Sequence, residues 1–134
     1  MQIVFYISGH GFGHASRDIE LINAIAAADR GARFVARTTA PGWLFARARA
    51  EVDVQPLATD TGLVQIDSLR FDEEETVRRA AAFYRTFDER ADAEARVLEA
   101  AGADLVVGDI PPLAFAAAQR AGVKSVALGN FTWD

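Results

Sequence analysis

The 134 residues carry 14 Lys and Arg against 19 Asp and Glu, a formal charge of −5, and are 51% hydrophobic and 25% charged. That is the balance of one ordinary globular domain with a real core, too short for two domains that close on a substrate. The acidic excess argues against nucleic acid or an anionic membrane as partner; zero cysteines exclude disulfides and thiolate chemistry; no apolar run reaches the length of a membrane span. The first residues lack a basic leader, so a cytoplasmic location is the expectation. Of the 14 basic residues 13 are Arg, a chain-wide bias that reads as coding preference more than as a set of anion ligands.

Residues 2–8, QIVFYIS, form a near-continuous apolar run, the pattern of a strand buried on both faces of a parallel sheet. Gly9-His10-Gly11-Phe12-Gly13-His14 follows, then a helix over about 15–28 with Ile19, Ile22, Ile25 and Ala26 on its apolar face and Gly31 placed to end it. Residues 33–37 read as a second strand. Pro41-Gly42 opens a short helical stretch to Ala48, and 52–57 is a third strand. Residues 58–71 have no period and read as a long loop, the kind that binds something or is disordered. Residues 72–101 read as one long helix or a kinked pair, striped by Val77, Ala80, Tyr84, Phe87, Ala91 and Leu98. Its acidic first turn complements the helix dipole. Residues 104–109 are a fourth strand, Pro111-Pro112 opens a helix to Ala121, and 125–129 is a fifth strand. This alternation predicts an α/β fold: a doubly wound parallel sheet, half-Rossmann, with strand order 3-2-1-4-5.

In that order the winding reverses between strands 1 and 4, and ligands bind beyond the carboxyl ends there. Strand 1 runs into the loop that holds both histidines of the chain, and strand 4 ends at Asp109. Neighbouring strands lie about 4.8 Å apart, so side chains just past the two tips can meet. Imidazole suits general-base work near neutral pH, and an adjacent carboxylate would orient it. His14 opens the helix and lies nearest strand 4; His10, earlier in the loop, is placed to contact a substrate. Gly9, Gly11 and Gly13 permit a tight turn and close backbone approach, the helix N-terminus offers N–H groups, and Ser16 or Arg17 could add a donor.

The spacing is G-x-G-x-G, not G-x-G-x-x-G, and no acid ends strand 2 to hold a ribose. A nicotinamide cofactor is therefore disfavoured, with Arg37 left as a conceivable partner for a 2′-phosphate. A metal on His10, His14 and Asp109 lacks a further ligand, so none is expected. Plainer readings stand beside these. The glycines could serve only the turn, Asp109 could cap the helix at Pro111, and Trp43, Phe45 and the 58–71 loop could be core instead of an acceptor lining.

The stretch ISGHGFGHASR, residues 7–17, resembles the first loop of GT-B glycosyltransferases. It is especially similar to the glycosyltransferase-like proteins that include the N-terminal region of plant arabinokinase. Residues 104–134, closing on Asn130-Phe131-Thr132-Trp133-Asp134, resemble the same group, as does Gln65-Ile66-Asp67-Ser68. The resemblance covers the whole chain but only the N-terminal half of that fold. It implies that residues 1–134 are the acceptor-side domain, that the donor-binding domain is absent and is the missing partner, and that the chain alone is inactive.

It further implies a nucleotide sugar as substrate with no cofactor, a sugar acceptor as ligand, and transfer with inversion. His14 takes the base position and Asp109 the orienting one. Gly9, His10, Gly11, Phe12, Gly13, Ser16, Arg17 and Asn130 form the substrate-binding set, His10 being a feature of the subgroup. The alternative is a non-catalytic phosphate- or nucleotide-binding module on the Gly9–Gly13 loop. Val126, Leu128, Phe131 and Trp133 near an uncovered sheet edge lead us to expect self-association, a homodimer.

Overall fold

The structure, a computed structural model, describes residues 1–130. β1 (Gln2–Ile7) is buried along its whole length, as a strand covered by helices on both faces must be. It pairs in parallel with β2 (Arg33–Thr38) on one side and β4 (Leu105–Asp109) on the other. β3 (Val52–Pro56) and β5 (Lys124–Ala127) complete a five-stranded sheet in the order β3-β2-β1-β4-β5. The order expected from the sequence is the order found.

The period of two along β1 divides the core. Ile3, Phe5 and Ile7 pack against Ala15, Ile19 and Ile22 of α1 (Gly13–Ala28), with Leu44 and Phe45 of a 3-10 helix (Gly42–Arg47) completing that layer. Val4 and Tyr6 face the opposite layer, against Leu98 of α3 (Phe87–Ala101) and Ala114, Ala117 and Ala118 of α4 (Pro112–Ala121). The alanines let α4 lie close to the sheet.

Of the two readings for residues 72–101, the structure has the pair of helices. α2 (Glu73–Arg85), N-capped by Asp72, stops at Thr86. The Thr86 hydroxyl donates to the Phe83 carbonyl and accepts from Arg90 Nε, side-chain bonding that competes with helix continuation. This break overturns part of the expected stripe. Ala91 and Leu98 are buried, but Val77 and Tyr84 are exposed, and Phe83 is the aromatic that α2 buries, against Ala91 and Leu113. The 58–71 loop is tied down. Thr59 is buried and donates to the Ile7 carbonyl, Gln65 bridges to Phe71, and Val64 N–H donates to Thr76 Oγ1. β5 is exposed at every residue, and Leu128 packs on the core beneath it; Phe131 and Trp133 lie outside the described residues. Among the described residues no helix is long and apolar enough to cross a membrane.

Arg37 departs from its sequence reading. Its guanidinium bonds Glu94 through Nε (3.0 Å) and Nη2 (2.5 Å) and Gln55 through Nη1 (2.8 Å), and Tyr6 donates to the same Glu94 at 2.9 Å. With every arm occupied under α3, it does not await a 2′-phosphate. Burial first, then the charge of Glu94, push the Tyr6 hydroxyl upward, so it stays a donor. Removing one member of a buried ion pair strands the other. Arg37→Met should therefore cost about 3 kcal/mol in urea unfolding, and Arg37→Met with Glu94→Leu should cost less than Arg37→Met alone. Equal losses in the single and double variants would show that Glu94 is not stranded.

Candidate functional site

Ile7 and Asp109 are register partners at the ends of β1 and β4, so the loop leaving β1 starts beside the Asp109 carboxyl. Gly9 is pressed against the residue after β2: a Cβ there would lie 1.8 Å from Thr39 Oγ1. Gly11 takes φ +79, a conformation other residues adopt only with strain. The chain then enters α1 at Gly13, two residues sooner than the apolar pattern suggests, which puts His14 inside the first turn.

His14 Nδ1 lies 3.0 Å from Asp109 Oδ2. A carboxylate only accepts, so Nδ1 carries the hydrogen, and in the neutral ring Nε2 is then the acceptor. Arg17, from the same helix, donates to Asp109 Oδ1 and to Asn130 Oδ1. Asp109 is 1% exposed while the His14 ring is 35% exposed: the anion is sealed in and the imidazole reaches out. Asp109 does not cap α4, whose N-cap is Pro111 without a side-chain bond. Its two oxygens serve His14 and Arg17.

The other expected residues separate into groups. His10, Gly13, His14, Arg17 and Asn130 line a cleft of about 430 Å³. Gly9, His10 and Gly11, with Leu63 and Gln65, line a second hollow of about 420 Å³, so His10 borders both. Its Nε2 lies 3.1 Å from Asp60, apart from the His14–Asp109 pair. Phe12 is exposed and packs edge-to-face on exposed Trp43, ring centres 5.6 Å apart. Phe45 instead is buried in the core, and Ser16 is exposed and lines neither hollow. Among the described residues no group of three or more His, Asp and Glu side chains is placed to hold a metal ion.

Sequence reasoning missed Asp18. It is fully buried, one helical turn beyond His14, and among the described residues no donor reaches either of its oxygens. Burial, then the neighbouring Asp109 charge, push its carboxyl up to about 8, against the pull of Arg17. The signal was present: the helical period that turns Ile19 and Ile22 inward turns position 18 toward strand 4.

Gly62 holds φ +52, and a Cβ on it would lie 2.3 Å from the His10 ring. Gly62→Ala should displace His10 from Asp60 and lower stability by roughly 1–2 kcal/mol, leaving His14 on Asp109. Urea unfolding and side-chain NMR contacts read both effects; an unmoved His10 ring would contradict the assignment.

No family model matches the chain. Over its whole length it is 34% identical to L-arabinokinase of Arabidopsis thaliana across 143 aligned residues, and it spans 13% of that protein. The calicheamicin glycosyltransferase CalG4 matches 98% of the chain at TM-score 0.65 and 20% identity, with 33% of its own length covered. A UGT transferase from Siraitia grosvenorii, in complex with UDP, matches 95% at TM-score 0.61 and 14% identity, with 27% covered. The C-terminal domain of a hydrogenase from Pyrococcus furiosus matches 95% at TM-score 0.52 and 12% identity, with 90% covered. Such identities show a shared fold, and one fold hosts several chemistries. The chain is thus similar along its whole length to a segment of L-arabinokinase, and it shares its fold with the two glycosyltransferases.

Proposed function

We propose that this domain is the acceptor side of a sugar-nucleotide-dependent, inverting glycosyltransferase, with His14 as general base and Asp109 as the carboxylate that orients it. The observation that carries this reading is the 3.0 Å contact between His14 Nδ1 and a buried Asp109. With Nδ1–H held, Nε2 accepts the proton of an acceptor hydroxyl in the adjoining cleft. The hydroxyl oxygen attacks the anomeric carbon, the bond to the nucleotide diphosphate breaks, and the leaving group takes the electron pair. Asp109 stabilises the imidazolium that results. Arg17 and Asn130 bond each other on the cleft wall, and exposed Phe12 and Trp43 offer aromatic faces to a sugar. The nucleotide sugar is held by a further domain, because the chain spans only about a quarter to a third of the glycosyltransferases it matches.

An anion-binding module without chemistry is the second reading. It draws on an α1 N-terminus that lacks a side-chain cap. It gives no work to a histidine aligned by a buried carboxylate.

In the native gene product, His14→Ala should cut transfer from a panel of UDP- and GDP-sugars by about 10²-fold or more, with unchanged far-ultraviolet circular dichroism. Wild-type turnover would overturn the base assignment. Residues 1–134 alone should transfer nothing, and turnover by that fragment would refute the need for a second domain. The four exposed residues of β5 should make the chain self-associate, read as concentration-dependent sedimentation; a constant monomer would count against a homodimer.

A further inference from the structure

Among the described residues, the buried side-chain polar atoms without a partner are Arg17 Nε and both carboxyl oxygens of Asp18. All three sit on one turn of α1, against the His14–Asp109 pair. An ionised carboxylate that is fully buried, reached by no donor and beside a second carboxylate is among the costliest arrangements a core can hold. Two acids so placed relieve the strain by keeping one proton between them. We propose that Asp18 holds a proton at neutral pH and donates it to Asp109, so that His14 and Arg17 are aligned by a carboxyl pair of single negative charge.

The neighbourhood fits one negative charge. Asp109 is the neighbouring charge that, after burial, most raises the Asp18 carboxyl. It already accepts from His14 Nδ1 on one oxygen and from Arg17 on the other, and a carboxylate has about four lone-pair directions, enough for a third donor. The proton turns one orphaned Asp18 oxygen into a donor, and the other becomes a neutral carbonyl, which is far cheaper to bury than an anion. The charged groups acting on Asp18 are Asp109 from β4 and Arg17 from its own helix. His14 is joined to it through Asp109. β1 presents no charged residue, and the 3-10 helix packed on α1 has only Arg47, which is exposed. A singly charged pair is balanced by Arg17 alone; a doubly charged one would leave an uncompensated anion in the core. Asp18 is thus a positioning residue that fixes the direction and charge of Asp109. Only its consequence for catalysis rests on the transferase reading.

The test is carbon-13 NMR on the chain labelled at aspartate, with Asp18 identified by its loss in Asp18→Asn. Its carboxyl should stay protonated through pH 7 and inflect near 8; an inflection below about 5, the ordinary carboxylate range, would overturn the proposal. Stability gives a second readout. A carboxyl whose folded-state value is raised stabilises the fold fully below about pH 4, and that contribution is lost as pH rises toward and past 8. Wild type should therefore lose urea resistance between pH 5 and 8 relative to Asp18→Asn, whose amide is neutral throughout; parallel profiles would refute the idea.

The His14 ring nitrogens report positioning. Asp18→Asn should keep the Nδ1–H tautomer, and Asp18→Leu, which removes the donor, should mix tautomers. Identical His14 signals in all three proteins would sink the positioning role. If Asp18→Leu fails to fold, the wild-type and Asp18→Asn titrations still decide. None of these measurements needs a sugar donor. An inactive enzyme with a protonated Asp18 would refute the transferase reading alone, and an active one with an ordinary Asp18 would refute this proposal alone.

Discussion

Asp109 is a carboxylate at the tip of a central strand, 1% exposed, and the loop geometry around it follows from the need to give that charge donors. The parallel pairing of β1 and β4 sets the end of β1 beside it. The chain must then turn sharply enough for α1 to begin within reach, which is why the turn uses positive φ at Gly11 and a close pass over Thr39 at Gly9. Once α1 starts at Gly13, residues 14, 17 and 18 fall on the face toward β4 by helical period alone. One helix face thus delivers an imidazole, a guanidinium and a second carboxyl to a single buried anion.

The opposite layer meets the same constraint differently. Glu94 on α3 is also a buried anion; Tyr6 from β1 and Arg37 from β2 donate to it, and Arg37 also donates to Gln55 of β3. Here both residues that donate to the anion point inward and the Arg37 side chain is only 12% exposed, so the cluster joins sheet to helix. At Asp109 one member, His14, lines an open cleft. Two buried ionic groups on one small domain therefore have different roles, decided by whether any partner faces out.

Much of this was legible in the sequence because period carries it. The apolar run at 2–7, the alternation of strand and helix, and the reversal point between strands 1 and 4 all follow from patterns that packing cannot easily override. The partner of Arg37 was not legible, because a charged residue at a strand end looks the same whether it faces solvent or a glutamate from a helix far along the chain. Val77 and Tyr84 were misread because the stripe was drawn across 72–101 as one helix, whereas α2 ends at Thr86 and buries Phe83 instead. Asp18 was overlooked for another reason. A lone acid beside isoleucines reads as a boundary of the apolar face, and only the position of β4 shows that the face continues through it.

The two histidines are separated by the dielectric around their partners more than by their distances. His10 to Asp60 is 3.1 Å and His14 to Asp109 is 3.0 Å. Asp60, however, is 28% exposed beside a ring that is 45% exposed, whereas Asp109 is sealed. Charge interactions at the surface are screened by water and salt, and the same separation inside the protein is worth several times more. His10 and Asp60 therefore act as a tether that holds the 58–71 loop against the cleft, reinforced by Gly62 under the ring. His14 and Asp109 form the pair in which a developing positive charge would be felt strongly, so on the proposed reading His14 is the imidazole for proton transfer and His10 shapes the space around it.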